Sequence, residues 1–132
     1  MVGELFWRVV LGHLVGDYLF QSEKMALTKG QKGAVGLWWC VGHSLVYTLS
    51  VCAFCWRWDL AFAALVFASH FPIDRWSLAN YWLRMIGGRN IKNVYEKKEK
   101  YWEVALPFSC LVYERVDMTM HFVLLWGIVH LV

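Results

Sequence analysis

AVGLWWCVGHSLVYTLSVCAFCW, residues 34–56, carries no charged side chain. A helix needs about 20 mostly apolar residues to cross the hydrocarbon core of a bilayer, and this stretch is long enough. Lys29 and Lys32 precede it and Arg57 follows it. Its only imidazole, His43, falls roughly 14 Å along a helix that starts at Ala34.

Three further apolar stretches lie on either side. They run over about 2–21, 60–73 and 104–132, the last interrupted by Glu114, Arg115 and Asp117. Two basic segments separate them. One holds Lys24, Lys29 and Lys32; the other holds Arg75, Arg84, Arg89, Lys92, Lys97, Lys98 and Lys100. The second and third stretches are joined only by WRWD (57–59 with Trp56). Four crossings would put both basic segments on one side, and the positive-inside rule makes that side cytoplasmic, with both termini outside. The expectation is an all-α, single-domain protein spanning residues 1–132. It would be an integral membrane bundle of four transmembrane helices. A short interfacial helix, Trp76–Ile86, would lie between the third and fourth, stopped by Gly87 and Gly88.

Composition supports this class. The chain has 132 residues, of which 59% are hydrophobic and 17% charged, and its mean hydropathy is +0.42. Average soluble domains are about 45–50% apolar and about 25% charged. So much apolar surface excludes a disordered coil. Nine Trp, six Tyr and eight Phe suit wide membrane–water interfaces. A net charge of +3 is too mild to imply nucleic acid. Cys52 and Cys55 form a single CxxC inside an apolar run, where small buried hydrophobes are expected rather than a zinc ribbon. MVGELFW has an acid where a secretory leader wants bases, so no leader is expected.

The chemistry lies in the polar residues inside the apolar stretches. His13 and Asp17 are four apart, as are His70 and Asp74, and Asp117 and His121. Residues at that spacing share one helix face. Three helices thus offer an imidazole and a carboxylate each, and the helix of residues 34–56 adds His43. A charge at the centre of a membrane helix costs about 2.5–3.5 kcal/mol, so these groups need partners. They can pair with one another as a polar network, or they can ligate metal. A mixed set of imidazoles and carboxylates fits Zn²⁺, Mn²⁺ or Fe²⁺, as one ion or two. The candidate ligands are His13, Asp17, His43, His70, Asp74, Asp117 and His121, with Asp117 either a ligand or a general base. Pro72, between His70 and Asp74, is expected to disturb that turn. Glu4 and Arg8 should form a surface ion pair, Ser44 should bond back to its own helix, and His130 should be interfacial rather than a ligand.

With these residues in view, the chain resembles a family of small bacterial and phage inner-membrane proteins of unknown function. The resemblance rests on His13-Leu14-Val15-Gly16-Asp17-Tyr18 with Gln21 and Lys24 or Lys29. It continues through His43, then His70-Phe71-Pro72-Ile73-Asp74-Arg75, then Asp117 to His121. It covers essentially the whole chain. Pro72 and Trp76 depart from the family pattern without removing a ligand. Relatives of that family are described as membrane-bound, metal-dependent hydrolases, which implies a metal site in a multi-pass protein of the inner membrane.

Three functions remain open on the residues. One is a metal-dependent hydrolase whose metal acidifies a water and whose carboxylate takes the proton. Its substrate would be a membrane lipid, a phospholipid or lipid-linked phosphoester, with Arg75 holding the phosphate. The second is a small accessory subunit, a homo-oligomer or partner in a membrane complex, with a structural metal or polar network. The third is ion or proton transport along the His–Asp chain.

Overall fold

The computed structural model describes residues 2–131. Met1 and Val132, the latter the expected end of the fourth apolar stretch, lie outside the described residues. The described chain is all helical: α1 (Val2–Leu14) runs into a π-helical turn (Val15–Leu19), followed by α2 (Glu23–Thr28), α3 (Ala34–Cys55), α4 (Leu60–Arg75), α5 (Leu78–Met85), α6 (Ile91–Lys97) and α7 (Trp102–Leu131). α3 is the central helix, packed against α1 and α4, and α7 closes the bundle against α4 and α1.

Local chemistry sets the boundaries. The Ser22 hydroxyl caps α2 by accepting from the Met25 N–H. The Asp59 carboxylate caps α4 by accepting from the Phe62 N–H at 2.9 Å. That bond, with the neighbouring Arg57 guanidinium, holds the Asp59 carboxyl below the usual carboxylate range. α3 ends through Trp56 in the left-handed region (φ 53°), so only a short link precedes α4. The helix of residues 76–86 is present as α5. α4 passes through Pro72 and keeps its i,i+4 pairing, since His70 Nε2 lies 3.1 Å from Asp74 Oδ2. Glu4 and Arg8 pair at 2.7 Å.

Two expectations change here. Among the described residues only α3 is both long and apolar enough to cross a membrane. α4 has 16 residues and α1 has 13, while the 30-residue α7 is interrupted by Glu114, Arg115 and Asp117. Ser44, expected to bond back to its helix, is buried with its Oγ unpartnered among the described residues.

The bundle is layered along its axis. At the end where α3 finishes and α4 begins, Val9, Val51, Cys52, Phe62, Val66, Leu125 and Ile128 form an apolar core. Cys52 and Cys55 belong to it as free thiols, as expected of small hydrophobes. Toward the other end the buried side chains turn polar: His13, Asp17, His43, His70, Asp74 and His121.

α1 reaches α3 at very short range, and two glycines permit it. A Cβ on Gly12 would stand 2.7 Å from the Val51 Cα, and one on Gly16 would stand 3.1 Å from the Tyr47 Cα. Small residues four apart let helix backbones approach in this way. The Gly12 carbonyl then accepts from the Ser50 hydroxyl at 2.9 Å. Gly12→Val would wedge these backbones apart. We expect it to destabilise the fold by about 1–3 kcal/mol, the usual cost of overpacking. A thermal unfolding midpoint equal to wild type would show that the close approach is dispensable.

Candidate metal centre

Three helical segments deliver four side chains to one point. Asp17 comes from the π-helical turn, His43 from α3, and His70 and Asp74 from consecutive turns of α4. His43 Nε2 lies 3.1 Å from Asp17 Oδ1 and 3.1 Å from Asp74 Oδ2. His70 Nε2 lies 3.6 Å from Asp17 Oδ1, 3.1 Å from Asp74 Oδ2 and 3.1 Å from His43 Nε2. These separations have a simple meaning. A tetrahedral ion with bonds of about 2.0–2.1 Å requires its ligand atoms to stand about 3.3 Å apart. Five of the separations among these four atoms fall near that value.

Their orientation agrees. Asp17 Oδ1 is sealed from solvent and makes no aligned hydrogen bond, although an imidazole nitrogen is 3.1 Å away. These groups converge on a shared centre more than they pair with one another. His121 from α7 approaches the same place. Its Nδ1 lies 2.8 Å from the Asp117 carbonyl oxygen, which assigns the ring proton to Nδ1 and leaves Nε2 as a buried lone pair with no partner. Two overlapping groups can therefore hold a metal ion: Asp17, His43 and His70, and His70, Asp74 and His121.

Five of the seven residues expected as ligands thus meet. The other two flank the cluster. His13 lies behind it, with Nδ1 3.0 Å from the Tyr47 hydroxyl, Nε2 3.1 Å from the Met118 sulfur, and Asp17 Oδ2 at 3.5 Å. Both ring nitrogens are engaged, which suits a supporting role. Asp117 is half-buried, with Oδ2 3.5 Å from His121 Nδ1, and it lines a polar cavity beside the cluster. Arg75 does not reach the site, because its guanidinium donates to the Gln31 carbonyl at 2.6 Å in the α2–α3 loop. His130 stands apart, exposed near the end of α7.

The basic group that does reach the cluster is Lys29, at the end of α2. Its Nζ donates to Asp74 Oδ2 at 2.6 Å and lies 3.3 Å from His43 Nε2. One hint of it is a lysine following the Asp17 and Gln21 motif. Tyr47 is the other unanticipated member. It is fully buried, and its ring stacks on His70 with centroids 3.6 Å apart and planes 13° from parallel. Tyr47 is four residues after His43, so the same helical spacing that found the acid–imidazole pairs, applied to hydroxyls, points to it.

The chain matches a family described as "Protein of unknown function (DUF3307)" over residues 5–130, and it belongs to that family. No curated protein and no solved structure matches it.

Tyr47 orients two imidazoles by different means: a stack for His70 and a hydroxyl for His13. Outer-shell partners of metal ligands are commonly worth 10–100-fold in metal affinity. We expect Tyr47→Leu to weaken metal affinity by about that factor, and Tyr47→Phe, which keeps the stack, by less than about threefold. Competition with a fluorescent chelator reads both. Equal losses in the two variants would assign the effect to the hydroxyl instead.

Proposed function

We propose that the protein is a membrane-embedded, metal-dependent hydrolase. The observation that carries the metal reading is the spacing of Asp17, His43, His70 and Asp74, 3.1–3.6 Å between ligand atoms across five pairs. A divalent ion there would act as a Lewis acid and make a bound water acidic enough to ionise near neutral pH. The donor set of imidazoles and carboxylates favours Zn²⁺, Mn²⁺ or Fe²⁺. Asp117, which lines the cavity beside the cluster, would take up the water's proton. The substrate class is a phosphoester at the membrane surface, a phospholipid or lipid-linked phosphate.

The membrane setting is supported by an inversion of burial. Histidines and aspartates occupy one end of the interior, while Trp38 (71% exposed), Leu49 (58%), Val123 (60%) and Trp126 (54%) face outward. Exposed apolar surface on this scale marks an interaction with lipid or protein. In this reading α1 with its π-helical turn, α3, α4 and α7 cross the bilayer, the shorter ones accommodated by local thinning. α5 lies at the interface, and the loops bearing Lys24, Lys29, Lys32 and Arg75 face the cytoplasm.

A second reading has its own support. The 2.6 Å contact of Lys29 with Asp74 gives the buried carboxylate a cation from the chain itself, as a metal-free structural network in an accessory subunit would require. Metal content separates the two. Detergent-purified wild type should carry one or two equivalents of a transition metal by plasma mass spectrometry, and His70→Ala should carry none. An intact wild type without metal would leave the Lys29 network as the function of the cluster. For the chemistry, Asp117→Asn should keep its metal and lose at least about 100-fold of phosphoester hydrolysis, the usual contribution of a general base. Unchanged hydrolysis in that variant would remove Asp117 from the mechanism.

A further inference from the structure

Beside the ligand cluster lies a polar cavity of about 430 Å³, bounded by Gln21, Lys29, Ser77, Tyr113, Asp117 and Asp74 itself. A second hollow of about 500 Å³ shares Gly30 and Ser77 with it as lining, and Lys32 and Arg75 line that neighbouring hollow. Basic residues thus stand in both hollows, with Lys29 next to the metal-capable atoms. The opposite side of the cluster is sealed by Tyr47, His13 and the apolar core.

Lys29 lines this cavity on the side of the cluster, on the two atoms a metal would need. Its ammonium is 2.6 Å from Asp74 Oδ2 and 3.3 Å from His43 Nε2. A divalent ion bound by those atoms would repel an ammonium in that position. The side chain would withdraw on its own side, where the open volume is the cavity. Two positive centres would then face one space whose lining includes Ser77 and Tyr113. An ammonium and a divalent ion facing one volume, with hydroxyl-bearing residues in its wall, suit a tetrahedral oxyanion, as in phosphoryl-binding sites.

We propose that Lys29 has two positions: on Asp74 in the metal-free protein, and, in the metal-loaded protein, in the cavity, where it holds the phosphoryl group of the substrate. This rests on the metal reading above and adds to it the residue that recognises the substrate. The same chemistry serves a free phosphate compound or a lipid headgroup.

The test uses full-length protein loaded with Mn²⁺ in detergent. Metal content is measured first, and inorganic phosphate is then titrated by calorimetry and by ³¹P relaxation. The expected result is that Lys29→Gln keeps its metal, bound as tightly as in wild type or more so, while its phosphate affinity falls at least tenfold. Lys24→Gln, whose ammonium sits 5.2 Å from the centre of the Trp39 ring instead, should change neither. Phosphate binding by Lys29→Gln equal to wild type would overturn the inference and leave the metal reading intact. So would loss of metal in Lys29→Gln, which would make the lysine a structural tie, and so would metal-loaded wild type that binds no phosphate. Wild type that binds no metal would overturn both readings, and the metal measurement alone identifies that case. Competition then finds the source: phosphatidic acid in nanodiscs displacing phosphate far better than glycerol phosphate identifies a lipid headgroup, and equal displacement identifies a soluble compound.

Discussion

Two carboxylates, Asp17 and Asp74, are buried together among imidazoles inside a helical bundle, and the rest of the architecture answers that constraint. Buried charge is tolerated only with opposite charge or hydrogen bonds close by. Here the nearest formal positive charge from the chain is a single lysine, on Asp74 alone. Asp17 has three imidazoles within 3.6 Å and no ammonium or guanidinium. The cluster therefore has more acceptors than its own donors satisfy, a deficit that a cation of higher charge would meet.

The packing around the cluster serves its geometry. Gly12 and Gly16 draw α1 onto α3, which sets Asp17 opposite His43. The Tyr47 ring fixes the plane of His70. The apolar core below supplies burial without any polar group to satisfy. A cluster that needs tenths of an ångström is thus held by helices and not by loops. Only Lys29, which reaches in from the short α2, sits on an element without a buried residue of its own. The part of the site best able to move is the part to which we assign the substrate.

Much of this was legible in the sequence because helical spacing carries it. The i,i+4 pairs His13–Asp17, His70–Asp74 and Asp117–His121 all sit on helical segments at 3.1–3.5 Å between side-chain atoms, and His43 joins them from α3. Spacing gives a shared face but not the distance to the bundle axis, so it did not separate the five converging residues from His13 and Asp117. Arg75 looked near the site because it follows Asp74 in the chain. One step along a helix turns a side chain by about 100°, and that turn sends it out to the Gln31 carbonyl. Lys29 was hard to assign for the opposite reason, since it is far from Asp74 in sequence and arrives from a loop-bounded helix. The number of crossings was least legible: hydropathy singles out α3 alone, because the other helices carry the polar residues that build the site.

The π-helical turn at Val15–Leu19 has a consequence for how the chain tolerates changes in length. Such a turn holds one residue more than an α-helix closing the same rise, and it occurs often at functional sites. Removing one residue inside the turn would let the segment relax into continuous α-helix with both flanks still in register, because the turn takes up its extra residue within one rise. Gly12 and His13 would keep their faces toward Val51 and Tyr47. What would change is the turn itself, and with it the direction in which Asp17 leaves the backbone toward His43. The extra residue thus serves the aim of one carboxylate and not the course of the helix.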